Sequence, residues 1–252
     1  MFRGRTGGAR EVICGEGASE LALLLLIISI MIRSAFALIL AVVASNLVGG
    51  NLLANSSEGN SGTSGNAIVR EMNLARQNPA QYAGYVEEMR SQFNGNLLMR
   101  PGRVALRTKE GVKAVDEAIR YLRSASPRPA LAFSPGMSRA AADHCAAQAG
   151  GGMSHKAGGN TGSRISRYGT FSGSWGENIS CGKQSAREIV IALIVDDGLR
   201  SRKHRDNIFS TNFSVAGAAT GPHAQYRTIC SMAFAGGYAE RGQPTETLVA
   251  RN

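Results

Sequence analysis

Residues 213–235, FSVAGAATGPHAQYRTICSMAFA, carry the clearest indication of the fold class of this chain. Its two ends, residues 213–219 and 227–235, are short runs with strand-forming composition, and Gly221-Pro222 lies between them. Two such runs separated by a turn signal predict two antiparallel strands. Apolar residues upstream recur at helical spacing instead. Helices gathered before strands indicate an α+β domain rather than alternating βαβ units.

Four helices are predicted upstream from apolar spacing and from start and stop signals. Ser134-Pro135 is typical of an N-cap followed by proline at the first helical position. Asp196-Asp197-Gly198 ends the last apolar run. The predicted helices are residues 67–85 with a break at Asn78-Pro79, 112–125, 134–149 and 186–195.

A long glycine-rich segment, residues 151–175, separates the third and fourth predicted helices. It contains seven glycines spread through polar sequence, which predicts a loop. A loop of this length inside a compact domain is usually functional or disordered. It is therefore the first place where a site is expected.

The N-terminal region carries the apolar stretch LALLLLIISIMIRSAFALILAVVA, residues 21–44, which is long enough to cross a bilayer. Within it, Met31-Ile32-Arg33, the apolar run 35–44 and the residues around Ser45 have the three parts of a secretory signal. Two outcomes stay open. Cleavage near Ser45 predicts a secreted, extracellular protein, and retention predicts a protein anchored in the membrane by residues 21–44.

Composition shifts divide the chain into four segments. The stretch SNLVGGNLLANSSEGNSGTSGN is rich in Gly, Ser and Asn, which predicts a flexible linker. The predicted segments are 1–45, an N-terminal extension with the signal peptide or membrane anchor, 46–66, the linker, 67–240, the folded domain, and 241–252, a C-terminal tail.

Charge and cysteine content limit the function classes. The formal net charge is +10, but the basic residues are scattered and only 6% of residues are aromatic, so nucleic-acid binding is not expected. Membrane contact is expected only through the N-terminal apolar segment. Downstream of that segment, Cys145, Cys181 and Cys230 permit one disulfide and one free thiol, with the pairing open.

Two histidines and one carboxylate are candidates for chemistry: His155 in GGMSHKAGG, His204 in SRKHRDNIF and Glu177 in SWGENIS. Imidazoles and a carboxylate from separate loops can share a proton, bind a divalent metal or hydrogen-bond one another. Glu177 can equally serve a structural role by holding its own loop. His144 lies on an apolar helix face and is interpreted as a core histidine.

An ordered set of short motifs resembles the CAP superfamily, also called the SCP domain, which groups cysteine-rich secretory proteins, antigen 5 and pathogenesis-related protein 1. The resemblance covers residues 67–238 and rests on EMNLAR with NP at 71–79, SH at 154–155, GENI at 176–179, DDG at 196–198, HRDNIF at 204–209 and FAGGY at 234–238.

The resemblance implies an α-β-α sandwich, in which a small antiparallel sheet lies between helical layers, and an extracellular location. It also implies a cleft lined by two histidines and two acids. By motif these are His155, Glu177 and His204, with Asp197 as the second acid and Asp196 as the other candidate. His155 and His204 are the predicted ligands for a divalent metal such as zinc.

Two functions from different classes follow. The first is a non-catalytic binding module whose cleft takes a small apolar ligand, a metal or a partner protein. The second is a metal-assisted hydrolase that uses His155, Glu177 and His204. The chain contains no G-x-S-x-G elbow and no H-E-x-x-H motif, which favours the binding module.

Overall fold

The computed structural model describes residues 63–242. The predicted signal or anchor segment, most of the predicted linker and most of the predicted tail lie outside these residues. The end of the linker is placed differently from the prediction, because Gly65 and Asn66 form the first turn of a helix. The Ser64 side chain caps that helix by accepting a hydrogen bond from the Ala67 N–H at 3.2 Å.

The described residues form seven helices and seven strands, joined by turns and loops. The helices are α1 (Gly65–Gln77), α2 (Pro79–Arg90), α3 (Val112–Ser124), α4 (Pro135–Ala147), α5 (Thr161–Ile165), α6 (Ala186–Val195) and α7 (Lys203–Phe209). The strands are β1 (Phe93–Asn94), β2 (Leu97–Leu98), β3 (Leu106–Arg107), β4 (Ala132–Phe133), β5 (Gly169–Cys181), β6 (Val215–His223) and β7 (Arg227–Glu240).

The main sheet has the strand order β4-β6-β7-β5. Strand β7 pairs antiparallel with both β5 and β6, and β4 adds a short parallel edge to β6. The predicted antiparallel pair is confirmed, but its turn lies beyond Gly221-Pro222, at residues 224–226. The His223 ring closes that turn, since its Nδ1 accepts hydrogen bonds from the Gln225 and Tyr226 N–H groups at 3.2 Å.

Helices cover both faces of this sheet. Met232 and Phe234 of β7 belong to a large core formed with α1, α2, α3, α6 and α7. Ala233 and Ala235, which alternate with them, pack on the other face against Met137 of α4 and a neighbouring α5. Successive side chains of a strand point to opposite faces. The predicted α-β-α sandwich is therefore confirmed.

Close packing of α4 on the sheet depends on a glycine in β6. A Cβ at Gly217 would lie 2.4 Å from the Ser138 backbone nitrogen and 2.6 Å from the Met137 Cβ. These distances are too short for any side chain at residue 217. Because glycine has no side chain, α4 can pack directly against β6. The predicted N-cap of this helix is present, because the Ser134 side chain accepts a hydrogen bond from the Met137 N–H.

Helix α6, which follows the glycine-rich segment 151–175, also matches its sequence signals. Ser185 and Glu188 form a reciprocal capping box at the start of α6. Its apolar residues are buried, and Asp196 ends it in the left-handed conformation with φ of 54°. Asp196, Asp197 and Gly198 therefore stop the helix where the sequence predicts.

The glycine-rich segment 151–175 is not all loop. It contains the short helix α5 and the first half of β5. Strand β5 forms because its backbone pairs along most of β7, with a register shift between Ser172 and Trp175. The small sheet β1-β2-β3 and helix α7 have no counterpart in the prediction either, because elements this short carry little periodicity.

Two further expectations can be checked within residues 63–242. Cys145, Cys181 and Cys230 are all free thiols there, so the disulfide that their number permitted is not formed among them. No helix in this range is long and apolar enough to span a membrane. The apolar stretch 21–44 is outside the range.

Candidate functional site

Glu177 lies on β5, opposite Ala233 of β7, and its side chain faces α4 and α5. Only 3% of this side chain is exposed. Its Oε1 lies 3.0 Å from the Nδ1 of His144, and its Oε2 lies 2.8 Å from the Nδ1 of His155. Arg164 of α5 donates from Nη2 to Oε1. These four residues, Glu177, His144, His155 and Arg164, are called the Glu177 cluster.

Arg164 connects the cluster to the glycine-rich loop. Its side chain is 1% exposed, and its Nη1 donates to the carbonyl oxygens of His155 at 3.3 Å and Ala157 at 2.9 Å, and also to that of Gly159. A guanidinium can satisfy several acceptors at once because it has five donors in a fixed plane. The loop that carries His155 is thus linked to the Glu177 carboxylate in two ways, directly through the His155 ring and indirectly through Arg164.

The surroundings of Glu177 favour its ionised form. Burial by itself raises the pKa of this carboxyl. Hydrogen bonds from His144 and His155, together with the charges of His144 and Arg164, lower the pKa by more, so it lies below the ordinary value for glutamate. The carboxylate is therefore a fixed negative charge inside the sandwich.

A second histidine–carboxylate pair lies at the end of α6. His204, in the first turn of α7, places its Nδ1 2.7 Å from the Oδ1 of Asp196. The backbone N–H of His204 donates to the other carboxylate oxygen at 3.0 Å. Asp196 is buried and the His204 ring is 24% exposed. The left-handed backbone at Asp196 turns its side chain toward α7.

Asp197, the second acid that the sequence predicted, is not the partner of His204, although it lines the same cavity as Asp196 and His204. Its two carboxylate oxygens accept the backbone N–H groups of Lys109 and Glu110 at 2.7 Å each. Because Asp196 is the residue in the left-handed conformation, its neighbour faces the turn before α3 instead. Asp196, the other candidate of the sequence, is the acid that contacts His204.

The structure forms two separate pairs rather than one cluster of His155, Glu177 and His204. Glu177 and Asn178 are consecutive on β5 and point to opposite faces of the sheet. Asn178 donates from Nδ2 to the His204 carbonyl oxygen at 2.9 Å, which places α7 on the face away from the Glu177 side chain. His155 and His204 therefore serve different carboxylates.

The predicted metal site is not assembled by this arrangement. Among residues 63–242, no group of three or more His, Cys, Asp and Glu side chains is placed to hold a metal ion. One cation close to His204 in sequence is engaged elsewhere. Arg202 binds Glu110 and Glu117, at 2.7 and 3.0 Å.

An elongated cavity of about 540 Å³ runs along α6. Its lining residues from α6 extend from Arg187 at the first turn to Val195 at the last, a helical length of roughly 12 Å. The opposite walls come from α2, the β1-β2-β3 sheet and the end of β5. We call it the α6 cavity; its main lining residues are Met89, Phe93, Leu98, Arg100, Lys109, Cys181, Lys183, Glu188, Ile191, Ala192, Asp196 and His204.

Comparison with known proteins places these features in a family. A model of the cysteine-rich secretory protein family, CAP, matches residues 117–234, the range that contains both histidine–carboxylate pairs, strands β5 and β6 and the first half of β7. The matched segment, slightly less than half of the chain, is similar to the CAP family. The sequence resemblance to CAP proteins is thereby confirmed. A comparison with curated protein sequences finds no match.

Two solved structures are similar to parts of this chain. One is an outer surface protein from Borrelia burgdorferi, with 17% identity and a TM-score of 0.34, covering 42% of this chain and 76% of that one. The other is an extracellular protein containing an SCP domain from Bacillus anthracis, with 17% identity and a TM-score of 0.34. That match covers 50% of this chain and 38% of the Bacillus chain.

The sequence did not indicate two members of the Glu177 cluster. His144 was interpreted as a core histidine, and it is fully buried, but its ring contacts the carboxylate that the sequence singled out. Arg164 lies in a loop-like sequence and carried no motif. The only available signal was its position between the SH and GEN motifs, inside the segment where a site was expected.

Proposed function

We propose that this protein is a non-catalytic binding module that holds a small apolar ligand in the α6 cavity. The cavity is the observation that supports the proposal most. Its volume lies within the range of about 300–1,000 Å³ that is common for small-molecule sites. Side chains such as Phe93, Leu98 and Ile191 supply an apolar lining.

Polar groups at the two ends of α6 would orient such a ligand. Arg100, Lys183 and Glu188 lie beside its first turn, and Asp196 and His204 lie beyond its last turn. Sites of this kind combine an apolar wall with a few polar groups that fix orientation. The preferred ligand is therefore elongated and apolar, with a polar group at one end.

The state of the carboxylates favours binding over turnover. Glu177 and Asp196 are both buried and already occupied by hydrogen-bond donors. A general base has to reach a proton on the substrate. Two acids that are fully engaged in holding loops are better suited to structural support. The hydrolase alternative has no comparable support from the geometry.

We also propose that the protein works outside the cell or at its surface. The support is the signal-like sequence around residues 31–46. Secretion after cleavage and anchoring by residues 21–44 are the two forms that this proposal allows. N-terminal sequencing of the protein recovered from medium and from membranes distinguishes them.

Cavity binding can be tested with the neutral fluorescent probe N-phenyl-1-naphthylamine. Ala192 lines the cavity, so Ala192→Phe should fill part of it and weaken probe binding by about tenfold or more. Ala146→Phe is the matched control, because Ala146 is an exposed residue of α4 outside the cavity. Equal probe affinity in both variants would contradict the proposal.

A further inference from the structure

We infer that Lys183 is a nucleophilic lysine that captures a small apolar aldehyde in the α6 cavity as an imine, an inference that rests on the binding function proposed above. The α6 cavity contains one amine whose surroundings differ from those of an ordinary surface lysine.

The backbone fixes the position of Lys183 at the cavity wall. Gly182, with φ of 72°, turns the chain at the end of β5, and its N–H donates to the Thr228 carbonyl oxygen at 2.9 Å. The Thr228 hydroxyl donates to the Lys183 carbonyl oxygen, also at 2.9 Å. The half-buried side chain of Lys183 then lines the cavity together with Cys181.

The negative charge of Glu188, which acts on the Lys183 ammonium, is shared with two arginines. Arg100 and Arg103 both bind the Oε1 of Glu188, at 2.7 and 3.0 Å. The Oε2 of Glu188 accepts the backbone N–H groups of the α6 cap, of which that of Gln184 is at 3.0 Å. In the described part of the chain, the Lys183 Nζ has no hydrogen bond and no ion pair.

These neighbours shift the amine toward its neutral form. Burial lowers the pKa of Lys183, and the positive charges of Arg100 and Arg103 lower it further. The charges of Glu188 and Cys181 act in the opposite direction, and the net shift is downward. Desolvation beside another cation is a known way to make a lysine nucleophilic at neutral pH.

A second observation points to a carbonyl group as the ligand. The Nε of Arg100 is buried and has no hydrogen-bond partner among the described residues, and Arg100 lines the same cavity. A buried donor without an acceptor is unfavourable. The oxygen of an aldehyde bound beside Lys183 would accept this hydrogen bond, which also polarises the carbonyl group for attack.

The reaction needs no partner besides the aldehyde. The lone pair of the Lys183 Nζ forms a bond to the carbonyl carbon, and the π electrons of the C=O bond move to oxygen. Proton transfer from nitrogen to oxygen gives a carbinolamine. Loss of the hydroxyl group with one proton releases water and leaves a C=N bond. Nothing is oxidised or reduced, and hydrolysis returns the free aldehyde.

Reductive trapping on the full chain tests this inference. Hexanal and sodium cyanoborohydride at pH 7 convert any imine into a stable secondary amine, which peptide mass spectrometry assigns to a residue. We expect Lys183 to be modified several times faster than Lys109, because a lowered pKa raises the neutral, nucleophilic fraction of the Lys183 amine at pH 7. Lys109 lines the same cavity and is the internal control.

Two variants and one competitor complete the design. Lys183→Arg keeps the charge and removes the nucleophile, so the fast labelling should disappear, whereas Lys109→Arg should leave it unchanged. Saturating N-phenyl-1-naphthylamine should slow the labelling of Lys183. Normal probe binding without preferential labelling would overturn this inference alone. Absence of both would overturn the cavity function as well, and labelling of Lys183 that the probe leaves unchanged would contradict capture inside the cavity.

Discussion

The two histidine–carboxylate pairs have nearly the same geometry and very different surroundings. His155 binds Glu177 at 2.8 Å and His204 binds Asp196 at 2.7 Å, each through Nδ1. Glu177 also holds a buried arginine and a second histidine, whereas Asp196 holds only the first turn of α7. The first pair braces the α4–α5 side of the sandwich, and the second closes one end of the α6 cavity.

The same histidine–carboxylate contact therefore has a different structural role in each pair. The side chain of His155 is 60% exposed, so its bond to Glu177 can be lost with little change in buried surface. We expect the buried contacts of Glu177 with Arg164 and His144 to stabilise this side of the sandwich more than the contact with His155. The following experiments separate the two pairs, beginning with the largest expected effect.

Removing the buried cation should have the largest effect. Arg164→Met leaves the Glu177 carboxylate buried without its guanidinium partner, which should lower the free energy of unfolding by about 3–5 kcal/mol. Chemical denaturation of the full chain measures this. Arg167→Met is the matched control, since the exposed Arg167–Asp143 pair should contribute about 0–1 kcal/mol. Similar losses in both variants would mean that the Glu177 cluster is not a brace.

Asp196→Asn should have an intermediate effect. It weakens the hydrogen bonds to the ring and the backbone N–H of His204, and such bonds to a charged group contribute about 1.5–3 kcal/mol. We also expect a change in cavity probe binding, because Asp196 lines the cavity and Glu177 does not. Unchanged probe affinity in Asp196→Asn, measured by fluorescence titration, would argue against a role for this pair at the cavity.

Acid should weaken the Glu177 cluster in a defined pH range. The pKa of Glu177 is lowered in the folded protein, so the unfolded chain binds the proton more readily. Its stabilising contribution is therefore complete above the unfolded value of about 4.3 and is lost as the pH falls through the lower folded value.

The free energy of unfolding, measured between neutral pH and strongly acidic pH, tests this dependence. The wild-type protein should lose stability in that range more steeply than Glu177→Gln, which cannot titrate at this position. Parallel pH profiles for the two proteins would show that the folded and unfolded pKa values of Glu177 are equal.

The smallest effect is expected for the exposed ring of the first pair. His155→Ala removes one hydrogen bond to Glu177 and should cost about 0.5–1.5 kcal/mol. Lys156→Ala, at the exposed neighbouring position, is the control and should change little. A loss as large as that of Arg164→Met would show that His155 is the central partner of the carboxylate.

The sequence predicts the parts of the fold that carry long periodic patterns. The apolar stripe of α3, the capped helix α4 and the buried helix α6 all lie close to their predicted positions, because their core faces repeat at helical spacing. Helix α5 and the β1-β2-β3 sheet were not predicted. Each is too short for a pattern, and their conformations depend on neighbours that are distant in sequence.

The sequence motifs indicated the residues of the two histidine–carboxylate pairs, but they did not indicate which histidine binds which carboxylate. His155, Glu177 and His204 each contact a group of the expected kind, yet the alternation of β5 assigns Glu177 and the α7 contact to different faces. The choice of Asp196 over Asp197 depends on one left-handed residue, which no spacing rule indicates. The buried position of Arg164 results from tertiary packing alone.

The glycine at the contact between α4 and β6 has a consequence for how such chains can diverge. A methyl group at residue 217 would meet the Met137 and Ser138 backbone, so any other amino acid there would push a whole helical layer outward. Gly84 on α2 has no atom within 4 Å of the corresponding point and could accept a side chain. Random mutagenesis with selection for folded protein should therefore leave residue 217 invariant and let residue 84 drift.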